Sequence, residues 1–585
     1  MPATDTDTDT AADADADATA TATAEVGCDV SARAGSHGEA GLALRAALDA
    51  AAGHAQEWLA GLAERPVRPS HSAAEVRARL DDRLPDGPTD PVAVVDALVE
   101  AVGGGLTATG SPSFFGYVIG GTLPAALAAD VLAVVWDQNA ALASLSPAAS
   151  AVEAVAGQWV AELLGLPAHV SVGFTTGTQM AHVTALAAAR HRVLADVGWD
   201  VEADGLLGAP PVRVLAGADR HATVDAALRL LGLGRRAVVT VPTDGLGRMR
   251  PDALGAALAA AGGQRGGTGG HPPQPTIVIA QAGEVNTGAA DPLPEICALA
   301  HDHGGWVHVD GAFGLWAAVS GSAARRGLVA GAERADSWAT DGHKWLNVPY
   351  DCGIALVADR AAHRGAMAAP AAYFPPDGAG ALDPVDWTPE FSRRARAFAV
   401  YAALRSLGRS GLRDLVDRCC DLADHAARRL AGVPGVRVLN ATDGPAAPGR
   451  LVPLNQVLLR VDADQGTHPR GTPVHPDAPP TDHSRADISR PDVTPADHTR
   501  PNVTRPNVTR PDVTRPDVTR AEALGDRLSR EVTEAVTTGG AAYVTGTVWR
   551  GRAAMRLSVS NWATTRADVD RAVDVIAHAV AAARA

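Results

Sequence analysis

Between about residues 105 and 365 the chain alternates two patterns, and this alternation limits its fold more than any other feature. Short apolar runs recur, among them VRVLAGA, TIVIAQAG, WVHVD and GIALVAD, and stretches rich in Ala and Leu at helical spacing separate them. Strands that alternate with helices are typical of a parallel sheet covered by helices. The sequence therefore predicts a large α/β domain over 105–365 with a mostly parallel sheet.

The regions on either side have different patterns. Residues 27–104 predict helices, which we interpret as an N-terminal arm, and residues 366–585 mix helical and strand patterns that predict a smaller C-terminal α+β domain. The acidic Thr/Asp/Ala tail 1–26 and the Pro/Thr-rich insertion 464–520, which repeats R-P-(D/N)-V-T, contain few of the large apolar residues that a core needs. We expect both segments to be disordered.

Composition excludes several classes of function. The net charge of -15 argues against nucleic-acid binding, which needs a basic surface. No apolar run reaches the ~20 residues that span a bilayer, and the N-terminus has no signal-peptide pattern. The five cysteines are odd in number and lack metal-ligand spacing. We therefore expect a cytoplasmic protein with reduced thiols, no metal site, no membrane contact and a small-molecule substrate.

A single one of the 51 basic residues, Lys344, is a lysine. Arginine serves wherever a surface positive charge is enough, whereas lysine can present a neutral amine that attacks an aldehyde. The alternative is that one surface lysine survived by chance, but the surrounding sequence ADSWATDGHKWLN follows a strand pattern and favours a functional lysine. We predict that Lys344 binds the aldehyde of pyridoxal phosphate (PLP) as a Schiff base.

A PLP site also needs a carboxylate for the pyridine nitrogen, and Asp310 is the candidate. It ends the strand pattern WVHVD, and open α/β sheets bind ligands at the carboxyl ends of their strands. Ala312 is small enough to let a cofactor ring approach the backbone. The alternative for Asp310 is a helix N-cap or a turn residue. Because Lys344 follows one further strand pattern, we expect the two side chains to converge.

Two strand-to-helix junctions offer the remaining parts of such a site. In VSVGFTTGTQMAH, residues 176–179 present backbone N–H groups and hydroxyls at a helix N-terminus, which suits a phosphate, although an ordinary capped helix has the same pattern. In VRVLAGADRHATVDAA, His221 stands at the junction. Its flat imidazole could stack on a pyridine ring, although a lone histidine is commonly a polar loop residue.

Taken in order, these motifs resemble the group II PLP-dependent amino-acid decarboxylases, the fold-type-I family that includes aromatic L-amino-acid and glutamate decarboxylases. The resemblance runs from about residue 105 to the end, apart from the insertion, and rests on GFTTGTQMAHVTALAAAR, ADRHATVDAA, HVDGAFG, DSWATDGHKWLN and TVWRGRAAMRLSVSNW. It implies a fold-type-I large domain with a seven-stranded sheet, and decarboxylation of an L-amino acid to an amine and carbon dioxide.

The resemblance also implies a role for each matching residue. Lys344 is the covalent anchor, Asp310 the partner of the pyridinium and His221 the residue stacked on the ring. The remaining cofactor-binding candidates match the phosphate loop and the position before the lysine: Gly177, Thr178, Gln179 and His343.

Members of this family are usually homodimers with active sites at the subunit interface and an N-terminal arm exchanged around the partner. The resemblance implies the same arrangement here and accounts for residues 27–104. The segment SPSFFGYVIGGTLPAALAADVLAVVWDQNA resembles the part that lines the substrate pocket. It makes Phe114, Phe115, Gln138 and Asn139 candidate substrate neighbours, although the two aromatics could be ordinary core residues.

The sequence departs from the family where a loop tyrosine is thought to return a proton to Cα. The comparable stretch has Tyr373 at its start and Asp383-Pro384-Val385 at the expected place. Tyr373, His221 or a water could donate the proton instead. Relatives without that tyrosine can divert the intermediate to oxygen, so an aldehyde synthase is the first alternative function. A carbon–carbon lyase, an aminotransferase and a non-catalytic homologue are further alternatives, and the intact lysine and Asp310 weigh against the last.

Two more departures concern the cofactor site. Asp341 stands where many members have an asparagine near the phosphate, and two anions there repel unless His343 or an arginine intervenes. His182 replaces another asparagine of the family. These changes leave PLP binding expected and the amino acid undetermined.

Overall fold

The computed structural model describes residues 30–80, 83–260, 274–368, 383–442, 451–463 and 520–585. The chain divides into two compact units. The first contains the chain up to Glu64 together with Pro69–Thr107, and the second contains Arg65–Arg68 and Ala108–Ala585. The disorder predicted for the tail and for the insertion concerns residues that lie outside the described ones, and so does Tyr373.

Helices make up the first unit. They are α1 (Val30–Ala60), α2 (Ala73–Arg79) and α3 (Pro91–Val102). Ser72 and Glu75 form a capping box that starts α2, and the Asp90 side chain caps α3. α1 packs against α3, where Nε2 of His54 lies 2.7 Å from Oδ1 of Asp96.

A seven-stranded sheet forms the centre of the second unit. Its strands are β1 (Ser171–Thr175), β2 (Arg213–Gly217), β3 (Val238–Val241), β4 (Thr276–Gln281), β5 (Trp306–Asp310), β6 (Ser337–Asp341) and β7 (Gly353–Val357). They lie in the order β1-β7-β6-β5-β4-β2-β3. The five strands from β6 to β3 run parallel, whereas β7 is antiparallel to both of its neighbours. The prediction of a mostly parallel seven-stranded sheet is confirmed.

Helices accompany the strands along the whole second unit. They are α4 (Pro124–Trp136), α5 (Pro147–Leu163), α6 (Thr178–Ala195), α7 (Val201–Asp204), α8 (Ala222–Leu230), α9 (Pro251–Ala259), α10 (Leu293–Asp302), α11 (Ala323–Arg326), α12 (Arg360–Met367), α13 (Ala397–Ala431), α14 (Arg520–Gly539) and α15 (Arg566–Arg584). α13 breaks at Gly408, whose φ of 60° glycine adopts without steric cost. Among the described helices, none has the length and apolar character of a membrane span.

Both faces of the large sheet are packed, which explains why its strands are continuous apolar runs. Successive residues of a strand point to opposite faces. Accordingly Leu215 and Val278 belong to one apolar cluster, while their neighbours Val214 and Ile277 belong to another. This two-sided burial is typical of a parallel sheet.

A smaller antiparallel sheet belongs to the same compact unit. Its strands are β8 (Val436–Val438), β9 (Gln456–Val461), β10 (Thr545–Trp549) and β11 (Arg552–Ser558), in the order β10-β11-β9-β8. The β10–β11 hairpin contacts the loop after β4. There Thr547 donates to Oδ1 of Asn286 at 2.8 Å, and Arg556 donates to the carbonyl of Val285 at 2.9 Å. The small sheet thus borders the carboxyl edge of the large one.

Candidate active site

Lys344 lies in the turn that follows β6. Its Nζ is 2.9 Å from Oδ2 of Asp341, the last residue of that strand. A Cβ at Gly120 would lie 2.0 Å from the Lys344 carbonyl oxygen, so the loop before α4 can cover the lysine backbone because it has glycine there. Oδ1 of Asn347 accepts the N–H of Gly121 at 2.8 Å and ties the same loop to the turn. The lysine turn is therefore held by packing and hydrogen bonds.

Asp310 ends β5, the parallel neighbour of β6, and is buried. Its Oδ1 accepts the N–H of Ala312 at 3.1 Å, and its Oδ2 lies 3.4 Å from Nε2 of His182. Burial by itself raises the pKa of a carboxyl group. His182, followed by His221 and Lys344, outweighs burial and holds the pKa of Asp310 well below its ordinary value. Asp310 is thus a buried carboxylate with cationic and donor groups around it.

His221 is the N-cap residue of α8. Its Nδ1 accepts the N–H of Thr223 at 3.3 Å and lies 2.8 Å from the Thr223 hydroxyl. The ring reaches solvent on its open side, but the protein around it desolvates the imidazole and lowers the pKa of His221, against the opposing effect of Asp310. Because Nδ1 accepts a hydrogen bond, the proton of the neutral ring lies on Nε2. His221 is thus a helix cap rather than a free loop residue, and its role as the residue stacked on the cofactor stays a prediction.

The turn between β1 and α6 has the features of an anion site. Thr178 donates its N–H to Oδ1 of Asp341 at 2.7 Å, whereas its buried Oγ1 has no hydrogen-bond partner among the described residues. A Cβ at Gly353 would lie 2.3 Å from the carbonyl carbon of Gly177, so β7 approaches this turn at a glycine. Gln179 is exposed in the first turn of α6. An unpaired hydroxyl at the N-terminus of a long helix suits a phosphate.

His343 and Lys344 flank the carboxylate of Asp341. Nε2 of His343 lies 3.5 Å from Oδ1 of Asp341, while its Nδ1 accepts the N–H of Cys352 at 3.1 Å. The imidazole stacks on Tyr350 with ring centroids 4.3 Å apart, and burial lowers its pKa. From the sequence we expected His343 or an arginine to intervene between Asp341 and a phosphate. In the structure His343 contacts the carboxylate of Asp341, and Lys344 does so too.

One end of the parallel strands thus brings together an amine, a buried carboxylate, an accessible imidazole and an unpaired hydroxyl at a helix N-terminus. These groups meet the needs of a PLP molecule, and Thr178 Oγ1 is the clearest sign because a buried hydroxyl without a partner is costly. The residues present therefore fit the cofactor.

The candidate substrate neighbours make contacts of their own. Phe114 stacks on Tyr543 with ring centroids 4.9 Å apart, and Phe115 is fully buried in the core. Gln138 donates to a main-chain carbonyl at 2.7 Å and Asn139 accepts a main-chain N–H at 3.1 Å. Within the described residues no recorded contact joins these four to the lysine turn, so their role stays a prediction.

Arg556 borders the site and is not among the residues predicted from the sequence. It lies in β11 and is buried, and its Nε has no hydrogen-bond partner among the described residues. Its charge helps to lower the pKa of His221, and the half-exposed Tyr117 in turn acts on the pKa of Arg556. The sequence did contain a sign that Arg556 has a specific role, because an arginine inside the apolar strand pattern AAMRLSV needs a partner for its charge. His308, inside the apolar strand WVHVD, carried the same kind of signal.

Comparison with known proteins identifies a family signature in the chain. Residues 74–437 match the model of the pyridoxal-dependent decarboxylase conserved domain. Tyrosine decarboxylase of Oryza sativa subsp. japonica is 33% identical over 384 residues, which cover 62% of this chain and 67% of that protein. Aromatic-L-amino-acid decarboxylase of Bacillus atrophaeus is 28% identical over 368 residues, covering 62% and 72%.

L-2,4-diaminobutyrate decarboxylase of Rhizobium meliloti (strain 1021) is 34% identical over 294 residues, which cover 50% of this chain and 55% of that protein. Among solved structures, Oryza sativa TDC with PLP and tryptamine aligns with a TM-score of 0.74 at 22% identity, covering 92% of this chain and 98% of that one. Mouse CSAD aligns with a TM-score of 0.72 at 20% identity, covering 92% and 98%. These structural likenesses show the fold.

Proposed function

Because the chain belongs to the pyridoxal-dependent decarboxylase family, we propose that Lys344 anchors its PLP and that Asp310, His221 and the 177–179 turn complete the cofactor site. The protein is a PLP-dependent carboxy-lyase that acts on an amino acid. The observation that carries the residue assignment is the convergence of Lys344, Asp310 and His221 at the carboxyl edge of the sheet. Asp310 ends β5, Lys344 Nζ lies 2.9 Å from the last residue of its parallel neighbour β6, and His221 caps the helix that follows β2 at the same edge.

Each residue has a task that follows from its surroundings. Bound PLP withdraws electrons from the Cα–carboxylate bond of the substrate. Asp310, kept ionised by its surroundings, would hold a proton on the pyridine nitrogen. The ring of His221 would support one face of the cofactor, and Thr178 Oγ1 would be free to donate to its phosphate. Asp341 holds the amine of Lys344 at this edge of the sheet, where it would meet the cofactor aldehyde.

An aromatic amino acid is the substrate that the site's surroundings support best. Tyr117 is half exposed next to Tyr543, whose ring stacks on Phe114, and Tyr117 lies close enough to Arg556 to affect its pKa. Tyr117 also lies three residues before Gly120, which packs on the carbonyl of Lys344, so this aromatic group belongs to the loop that covers the lysine turn. The matched relatives from Oryza sativa and Bacillus atrophaeus are a tyrosine and an aromatic-L-amino-acid decarboxylase.

A homodimer in the cytoplasm is the second part of the proposal. The last two turns of α4 expose a series of apolar side chains that a partner subunit would cover: Val131, Leu132, Val134, Val135 and Trp136. The four cysteines within the described residues are buried free thiols, as expected in a reducing compartment. Light scattering of the purified protein measures the oligomeric state, and a monomer at micromolar concentration would contradict the dimer.

The cofactor assignment is tested by the visible absorption of the protein beside Lys344→Ala. We expect the band of covalently bound PLP in the parent and its absence in the variant. If the variant keeps the band, PLP is bound covalently elsewhere and the assignment is wrong.

A screen of amino acids then follows carbon dioxide, amine, aldehyde and hydrogen peroxide. Amine and carbon dioxide as the only products support simple decarboxylation. Aldehyde with peroxide favours the synthase alternative, which gains some support from Asp383. This residue occupies the place expected for the proton-donating tyrosine, and its carboxylate accepts the main-chain N–H of Ala143 at 2.6 Å.

A further inference from the structure

A line of buried polar side chains runs behind Asp310, away from the lysine. His182 Nε2 lies 3.4 Å from Oδ2 of Asp310, and His182 Nδ1 lies 2.9 Å from Nε2 of His308. Nδ1 of His308 lies 2.9 Å from Oγ of Ser337, which accepts the indole N–H of Trp306 at 2.8 Å. Both histidines and the serine are completely buried. The line joins α6, β5 and β6 without a solvent-exposed member.

The direction of these hydrogen bonds follows from Trp306, which stands at the end of the line opposite Asp310. An indole nitrogen can only donate, so Ser337 accepts from Trp306 and has its own hydroxyl proton left for Nδ1 of His308. His308 must then carry its proton on Nε2 and donate to Nδ1 of His182. His182 in turn carries its proton on Nε2, which faces Asp310. In this arrangement every N–H and O–H of the line points toward the carboxylate, and neither ring needs a second proton.

The opposite direction is costly for a neutral His182. If His308 donated to Ser337, its Nε2 would accept the proton of His182 Nδ1, and a neutral His182 would present a lone pair to the carboxylate. Two negative regions would then meet in a buried place. An imidazolium at His308 is also disfavoured, because burial and the neighbouring His182 hold the pKa of His308 well below its ordinary value.

We propose that Trp306, Ser337 and His308 are positioning residues that fix the tautomer of His182, and that His182 thereby keeps Asp310 oriented and ionised toward the pyridine nitrogen of PLP. The inference rests on the proposed cofactor site. The N–H of Ala312 holds the other carboxylate oxygen, so Asp310 cannot rotate freely. Donors on both oxygens weaken Asp310 as a base, and a proton shared with the ring nitrogen stays on the ring.

The first test uses the full-length protein stripped of PLP, so that its outcome does not depend on catalysis. ¹⁵N spectra of protein labelled in histidine report the tautomer of each ring. We expect two neutral Nε2–H rings with exchange-protected, strongly deshielded protons, assigned by His182→Asn and His308→Leu. In Ser337→Ala the fixed state of His308 should be replaced by a mixture of tautomers. A charged ring, or an Nδ1–H tautomer at either position in the parent, overturns the proposal.

The second test uses the PLP-loaded enzyme. We expect His308→Leu to lower kcat by about tenfold with little change in KM, as removal of a residue that orients a catalytic ligand commonly does. His308→Gln can still donate to His182 through its amide and should recover part of the loss. Trp306→Phe removes a single N–H while keeping an aromatic ring, so this variant should fold even if His308→Leu fails to fold. We expect it to lower kcat by about twofold to threefold.

His363 supplies the matched control. It is another fully buried histidine, bonded to the Ser171 hydroxyl at 2.8 Å and to the Trp387 carbonyl at 3.0 Å, and it does not belong to the line. His363→Gln should leave the two ring signals and kcat unchanged even if it lowers the thermal midpoint. Equal kcat losses in His363→Gln and His308→Leu would assign the effect to general destabilisation and contradict the proposal. If the parent lacks PLP absorption but has the two expected tautomers, the line of bonds stands and the cofactor role fails.

Discussion

Asp310 and Asp341 are two buried carboxylates at the carboxyl ends of adjacent parallel strands, yet in the proposed site they would meet opposite charges of the cofactor. Asp310 is 5% exposed and Asp341 is 1% exposed. The first accepts the N–H of Ala312, lies 3.4 Å from Nε2 of His182 and is the proposed partner of the pyridinium. The second accepts from Thr178 and contacts Lys344, at the proposed phosphate site. The two carboxylates have similar burial and similar numbers of donors. We nevertheless infer that Asp310 pairs with the cation of the cofactor, whereas Asp341 competes with its phosphate.

The difference teaches that donor count alone does not define the role of a buried carboxylate. The donors of Asp310 come from groups behind it that the cofactor does not need. The donors of Asp341 include the N–H of Thr178 and the amine of Lys344, both of which the proposed cofactor site also uses. We infer that the ends of the site are tuned separately, the first for electron withdrawal and the second for a limited affinity for PLP.

Removing the charge of Asp310 should produce the largest effect. In Asp310→Asn the side chain keeps its shape but no longer stabilises a proton on the pyridine nitrogen. We expect kcat to fall by about 100-fold to 1000-fold, the usual loss when a preorganised charge is removed from an active site. Steady-state kinetics at saturating PLP measure this, with absorption to verify that PLP is still bound. A loss of less than tenfold would mean that Asp310 is not the electronic partner of the ring.

A third buried carboxylate sharpens the comparison because its role is structural. Glu153 lies 2.7 Å from Arg393, which is buried and also donates to the carbonyls of Ala140 and Phe174. Glu153→Gln leaves a buried guanidinium without its counter-ion, so the free energy of unfolding should fall by roughly 3 kcal/mol. Urea denaturation measures the change, and PLP absorption of the folded protein should be unaltered.

The exposed pair Arg409–Glu162 is the control for that variant. Glu162→Gln should cost less than about 1 kcal/mol, because solvent screens an exposed ion pair. If both variants destabilise the protein equally, burial does not account for the contribution of Glu153.

Asp341→Asn tests the other end of the comparison and should have the smallest effect. An asparagine can still accept from Thr178 but does not repel the phosphate, so we expect the Kd for PLP to fall by about tenfold, or about 1.4 kcal/mol. Equilibrium titration with PLP measures the affinity. Weaker binding would show instead that the carboxylate is needed to hold Lys344 and the phosphate turn in place.

Asp351→Asn provides a charge-matched control for this titration. Asp351 pairs with Arg396 at 2.9 Å, and its charge acts on His343, but it has no recorded contact with Thr178 or Lys344. Its replacement should change the Kd for PLP by less than about twofold, because solvent screens its half-exposed carboxylate. An equal gain in affinity in both variants would indicate a general charge effect rather than local competition at Asp341.

The sequence alone determined the class of fold and pointed to the candidate residues of the site. A single lysine among many arginines marked Lys344, because only an amine that can lose its proton attacks an aldehyde. Alternating strand and helix patterns predicted the mostly parallel sheet, and strand ends marked Asp310. These inferences depend on residue type and local periodicity, which a linear chain displays directly.

Tertiary structure decided what no local pattern contains. The antiparallel insertion of β7 between β1 and β6 depends on pairing between distant segments, as does the contact of His343 with Asp341. His182 was visible as a departure from the family, but its partner His308 lies more than a hundred residues away on another element. Arg556 reaches the site because the small sheet borders the large one. Hydrogen bonds and charges act over a few ångströms in space whatever the separation along the chain, so folding alone decides which side chains meet.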